Sequence, residues 1–158
     1  MNKKLFSYLA SISFALLAIW RVYSGFGYRF SLNDICLTLS FALFAFYNFT
    51  DNEKSRGLYT ASTLYLLSSG LFVFNYHLNI CDIITLVGVI FTYVIYSRLY
   101  RSDNEFLHKY WFVPCFAIFI SLVLYHLMYN PILTLSDTYK FLEPIGLFFM
   151  NLDTKEWY

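Results

Sequence analysis

The ionisable side chains that could do chemistry in this chain lie near the ends of long apolar runs. They are Arg21, Asp34, His77, Asp82 and His126. Ionisable residues inside a membrane are costly and are candidates for function, because they usually face a partner or a wet cavity. Together these five residues could bind a cation, pass protons or hold a lipid headgroup. The alternative is structural, because carboxylates also cap helix N-termini and complement the helix dipole.

Metal, redox and enzyme chemistry have weaker support in the sequence. Cys36, Cys81 and Cys115 lie far apart without a C-x-x-C pair, and the histidines show no spacing typical of a metal site. The catalytic motifs of hydrolases, zinc proteases and nucleotide-binding folds do not occur. We therefore expect no metal and no cofactor, and a non-enzyme is favoured, although chemistry on scattered residues stays open.

The composition is that of a membrane protein. The chain has 158 residues, of which 59% are hydrophobic and only 13% are charged. Ordinary globular domains carry roughly 25% charged residues, so this chain cannot build a soluble surface. The net charge of +1 gives no basic field for nucleic acid, and we expect no nucleic-acid partner. The composition resembles that of small polytopic bacterial membrane proteins.

The apolar runs predict an all-α fold, a polytopic integral membrane helical bundle. The organising run is residues 80–96, which is apolar on every side of a helix. About five transmembrane helices are predicted, at residues 5–23, 32–49, 58–76, 78–96 and 110–128, which form a transmembrane domain of residues 1–130. Each is near the ~20 residues that cross a ~30 Å hydrocarbon core. Residues 131–158 are predicted to form a C-terminal interfacial or re-entrant segment, with a sixth span as the alternative.

Small residues predict where helices approach each other closely. Ser7, Ser11 and Ala15 recur every four residues in the first span, and Gly88 lies within the fourth. Such ridges bring membrane helices together. We expect them to support a homo-oligomer.

The distribution of Lys and Arg predicts the orientation. Seven of these residues flank one side of the spans (Lys3, Lys4, Lys54, Arg56, Arg98, Arg101 and Lys109), and four flank the other (Arg21, Arg29, Lys140 and Lys155). The positive-inside rule then places the N-terminus in the cytoplasm and, with five spans, the C-terminus outside. The predicted location is the cell (inner) membrane.

Two classes of function fit these features. The first is an oligomeric assembly that acts as a pore, a transport unit or a lipid-facing subunit. The second is a non-catalytic accessory, sensor, immunity or anti-phage defence protein that acts through a membrane or cytoplasmic protein partner.

Overall fold

The described part of the chain is helical. The computed structural model describes residues 3–25, 31–50, 53–75, 79–132 and 134–157, and within them the regular elements are all α-helices. They are α1 (Lys3–Gly25), α2 (Leu32–Phe49), α3 (Lys54–Asn75), α4 (Ile80–Tyr100), α5 (Glu105–Tyr110), α6 (Val113–Met128), α7 (Leu135–Lys140) and α8 (Leu142–Trp157). The predicted all-α bundle is confirmed.

Within the described residues, four helical segments are long and apolar enough to cross a membrane. By length and composition they are Lys4–Ser24, Leu32–Phe49, Ile80–Tyr100 and Glu105–Met128. They coincide with four of the five predicted spans. The remaining predicted span, residues 58–76, falls on α3. This helix is long enough to cross a membrane, but it is less apolar because it carries many hydroxyl side chains. That α3 crosses the bilayer therefore stays a prediction, and residues 76–78 lie outside the described part of the chain.

Six helices pack side by side in a closed ring. Around the ring the order is α1, α2, α3, α4, α6 and α8, and α8 packs again on α1. Two aromatic contacts show that α8 runs antiparallel to α1. Phe6 near the start of α1 stacks on Phe149 in α8, while Trp20 near the end of α1 stacks on Tyr139 in α7, the helix before α8. We name the two ends of the bundle after residues there, the Arg21 end and the Lys54 end.

The C-terminal segment of residues 131–158, predicted to be interfacial or re-entrant, contains two helices in its described part, α7 and α8. The short α7 lies near the Arg21 end, but α8 is part of the bundle, with Leu147 and Met150 fully buried. Because α8 is antiparallel to α1, it ends on the same side as the start of α1, whereas five spans would have placed the chain ends on opposite sides. With 16 residues, α8 is about 24 Å long, so its depth in a bilayer stays a prediction.

Local sequence signals explain the helix boundaries. A capping box of Ser31 and Asp34 opens α2, with the Ser31 N–H donating to the Asp34 carboxylate over 3.2 Å. Asn79 and Asp82 form the same motif at α4. Pro114 lies in the first turn of α6, where its missing N–H separates α5 from α6.

The small-residue ridge of α1 packs inside the chain. Ser7 donates a hydrogen bond to the Asn48 carbonyl, and Ser11 donates one to the Ala45 carbonyl over 2.7 Å. Ala15, one turn further along the same face, is partly buried. Ser7 and Ser11 therefore pack on α2. A side chain on Gly88 would come within 3.2 Å of Ala117 in α6, so this position too serves packing within the chain.

Replacing Ser11 with leucine is expected to destabilise the chain itself. The larger side chain would crowd the contact between α1 and α2 and remove a hydrogen bond, which costs about 1–3 kcal/mol. Thermal unfolding in detergent measures this loss. The control is Ser24→Leu at the exposed end of α1, for which a change within about 0.5 kcal/mol is expected. Unchanged stability with a loss of oligomers on light scattering would show instead that the ridge binds a second chain.

Candidate functional site

A cavity with both polar and apolar lining residues lies between α2, α3, α4 and α8 toward the Arg21 end. Its volume is about 180 Å³. Seven polar residues line it (Asn33, Tyr65, Ser68, Ser69, Asp82, Thr85 and Glu143), together with five apolar ones (Leu37, Phe72, Val73, Leu86 and Val89). We call it the acid cavity, because its two charged lining residues are carboxylates. It is the feature of the bundle best suited to hold a small polar ligand.

Glu143 reaches the acid cavity from the first turn of α8. Its carboxylate accepts a hydrogen bond from the hydroxyl of Tyr65, a side chain in the middle of α3 that is only 1% exposed. An acid at this position also complements the N-terminal end of the helix dipole. The sequence prediction missed both residues. The available signal was an acid directly before Pro144 at the start of an apolar run, which is equally typical of helix capping.

Asp82 combines a capping role with a place in the acid cavity. One of its oxygens accepts the Asn79 N–H over 3.2 Å, while the Asp82 N–H donates to the Asn79 side chain over 3.0 Å. The residue also lines the cavity. For this residue the structural and the functional interpretation are therefore compatible.

Asp34 does not line the acid cavity as Asp82 does, although both acids belong to a capping box. Asp34 accepts a hydrogen bond from Arg21 over 2.8 Å, in an ion pair whose side chains are 29% and 35% exposed. Its neighbour Asn33, not Asp34, lines the acid cavity. The structure therefore brings Arg21 and Asp34 together and places Asp82 with Glu143.

His126 and the three cysteines are not among the described lining residues of the acid cavity. His126 is buried at the end of α6, where its Nδ1 lies 2.9 Å from the Asn130 carbonyl and its ring stacks on Phe141. His77 lies outside the described residues. Cys36, Cys81 and Cys115 are buried free thiols. In the described part of the chain, no three His, Cys, Asp or Glu side chains converge as a metal site would require.

Near His126, the short helix α7 carries an acid in a fixed environment outside the spans. The hydroxyl and backbone N–H of Thr134 donate to Asp137 and lower the pKa of its carboxyl below the usual value. Lys140 pairs with the same acid, at 3.7 Å. Asp137 is thus an ionised cap of α7.

A second polar cluster lies toward the Lys54 end. The Tyr96 hydroxyl donates to Asn151 over 2.6 Å, and the Asn151 amide donates to the Trp111 carbonyl over 2.9 Å. Thr154 lies 3.5 Å from the same hydroxyl. We call these residues the Asn151 network. Lys54 and Asp153 form a buried ion pair at the same end.

The comparisons supply no relative. A scan against protein-family models and searches of curated proteins and of solved structures found no match. The chemistry of the bundle is therefore the basis for assigning a function.

An apolar barrier separates the two polar regions. On α8, Glu143, Leu147, Met150, Asn151 and Thr154 follow one another at spacings of one helix face. Glu143 and Asn151 bond to α3 and α4, which are not neighbours of α8 in the ring, so this face points inward. Leu147 and Met150, both fully buried, lie between them. Glu143 and Asn151 are thus eight helical residues, or about 12 Å, apart along α8, with buried apolar side chains between them.

Proposed function

We propose that this chain is a small multi-pass protein of the cell (inner) membrane that binds a small cationic solute and passes it across the bilayer, as a transport or pore unit. The observation that carries the proposal is the acid cavity, with two carboxylates and five neutral polar groups inside an apolar bundle. No Lys or Arg is among its described lining residues. Carboxylates with hydroxyl and amide oxygens provide the charge and the acceptors that replace water around a cation.

The exterior of the bundle supports the membrane location. Large apolar side chains are exposed on several helices, including Ile12 at 56%, Leu39 at 50% and Phe116 at 55%. In water such a surface would favour aggregation, whereas in a bilayer it is solvated by lipid tails. The composition, which is that of a membrane protein, agrees with this apolar surface.

The antiparallel course of α8 supports a cytoplasmic N-terminus. Lys155 lies 5.1 Å from the ring centre of Trp111, near the Lys54 end, although the sequence analysis counted it with the opposite side. With this one residue transferred, Lys and Arg divide eight against three rather than seven against four. The positive-inside rule then gives a cytoplasmic Lys54 end and an acid cavity on the outer side.

Replacing Asp82 with asparagine is expected to reduce cation flux into proteoliposomes about tenfold or more, which corresponds to at least about 1.4 kcal/mol. Asparagine keeps an acceptor for the Asn79 N–H, so the cap of α4 survives and only the charge is lost. The measurement is uptake of Na⁺, K⁺ and protons. Asp103→Asn is the control, because Asp103 pairs with Arg98 on an exposed surface far from the cavity.

The alternative function is a non-catalytic accessory or immunity protein that acts through a protein partner. An apolar groove of about 390 Å³ between α6 and α8 favours it, lined by Cys115, Phe116, Phe119, Phe141, Pro144, Ile145, Phe148 and Phe149. Absence of flux for the unmodified chain, together with a partner that co-purifies in fixed proportion, would support this alternative and contradict transport.

A further inference from the structure

We infer that Glu143 is a reversible proton-binding site in the acid cavity and that Tyr65 positions its carboxyl group. The step is a simple protonation, in which a proton from water in the cavity binds a carboxylate oxygen of Glu143 and later leaves by the same route. This inference rests on the proposed function, since it names the proton as a species that the cavity binds.

The surroundings of Glu143 favour exchange of a proton over permanent charge. Its carboxyl lies on an inward face of the bundle, against Tyr65 on α3. An isolated carboxylate in such surroundings is costly, and taking up a proton removes that cost. Contact with the cavity gives the proton a path to water, which a fully packed acid would lack.

The cations near Glu143 are engaged by other acids. Arg21 on α1 and Lys140 on α7 act on its charge, but Arg21 holds Asp34 at 2.8 Å and Lys140 holds Asp137 at 3.7 Å. Their attraction for Glu143 is therefore shared. A dedicated ion pair would fix Glu143 as a carboxylate, whereas shared cations leave its charge free to change.

The remaining helices around Glu143 contribute one more acid. Asp82 on α4 lines the same cavity, where one of its oxygens accepts the Asn79 N–H of the α4 cap. On α6, His126 is directed to the Asn130 carbonyl and to the ring of Phe141. Glu143, by contrast, accepts a hydrogen bond from the Tyr65 hydroxyl and lines the cavity.

Tyr65 fixes the position of the Glu143 carboxyl. Its hydroxyl is enclosed and donates to one carboxylate oxygen, so the other oxygen is the one that exchanges a proton with the cavity. Tyr65 is thus a positioning residue. Its removal should change the strength of hydrogen bonding at the carboxyl without removing the titration itself.

Infrared difference spectroscopy of the full chain in lipid bilayers tests this inference. Stepping the pH between about 4 and about 9, a range that includes ordinary and raised carboxyl pKa values, should produce carbonyl-stretch bands of protonated carboxyls, one of which we assign to Glu143. The Glu143 band should be lost in Glu143→Gln and shifted to higher frequency in Tyr65→Phe, which removes the hydrogen bond. It should be unchanged in Asp103→Asn.

The possible outcomes separate this inference from the proposed function. A spectrum that loses no band in Glu143→Gln, or an unmodified chain without such bands, would overturn the proton site. If Glu143→Gln does not fold, the band shift in Tyr65→Phe decides, and a spectrum without a shifted band contradicts the assignment. A band that behaves as expected in a chain without cation flux would support the proton site while contradicting transport.

Discussion

Replacing Lys54 with methionine is expected to lower the free energy of unfolding by about 3–5 kcal/mol, because it removes a cation that lies against a buried carboxylate. Asp153 is 1% exposed and Lys54 11% exposed at the side chain. Both residues also oppose the helix dipole, since Lys54 begins α3 and Asp153 lies in the last turns of α8. Their pairing must therefore offset two unfavourable positions as well as the desolvation of two charges.

Thermal and denaturant unfolding in detergent measure this effect. The double variant Lys54→Met with Asp153→Leu should recover most of the lost stability, because an apolar pair of similar volume replaces the two charges. Asp103→Asn is the matched control, since the Arg98–Asp103 pair is about half exposed and is expected to contribute less than about 1 kcal/mol. An equal loss of stability in Lys54→Met and in Asp103→Asn would contradict a stronger contribution of the Lys54–Asp153 ion pair.

Replacing Met150 with glutamine is expected to raise passive ion leak through the bundle about tenfold or more. Met150 is fully buried on the inward face of α8, between the acid cavity and the Asn151 network. Glutamine has a similar size and shape, so the packing volume is kept while an amide enters the apolar barrier. Hydrophobic constrictions close a path by excluding water, and a polar group there allows water to enter.

Ion leak is measured in proteoliposomes without a driving solute. The control is the same substitution at Met128, which is 57% exposed at the end of α6, and no change in leak is expected there. A leak equal to that of the unmodified chain, in a Met150→Gln protein with normal thermal unfolding, would show that Met150 does not belong to a barrier.

Several helices were predictable because local signals mark their boundaries. Residues 32–49 were predicted as a span and form α2 with the same bounds, since Ser31 caps its start and the apolar run stops at Thr50. The fourth span begins at its own capping box around Asp82. Such signals lie within a few residues of the boundary that they set, so one sequence contains them in full.

The candidate site was only partly predictable, because its contacts join residues that are far apart in the chain. Asp82 was identified from its position at the start of an apolar run. Glu143 was missed because its partner Tyr65 lies 78 residues earlier, and no periodicity indicates which helices will be neighbours. Within the segment predicted to be interfacial or re-entrant, Asn151 and Asp153 of α8 each have a partner on another helix, and no local pattern indicates these partners.

The position of α8 in the ring has a consequence for biosynthesis. Helix α1 is synthesised before the other helices of the ring, yet one side of it packs against α8, which is synthesised after them. Until α8 has been synthesised, that side of α1 and the side chains of Lys54, Tyr65 and Tyr96 lack their contacts with α8. Completion of the bundle is therefore a late event in the synthesis of the chain.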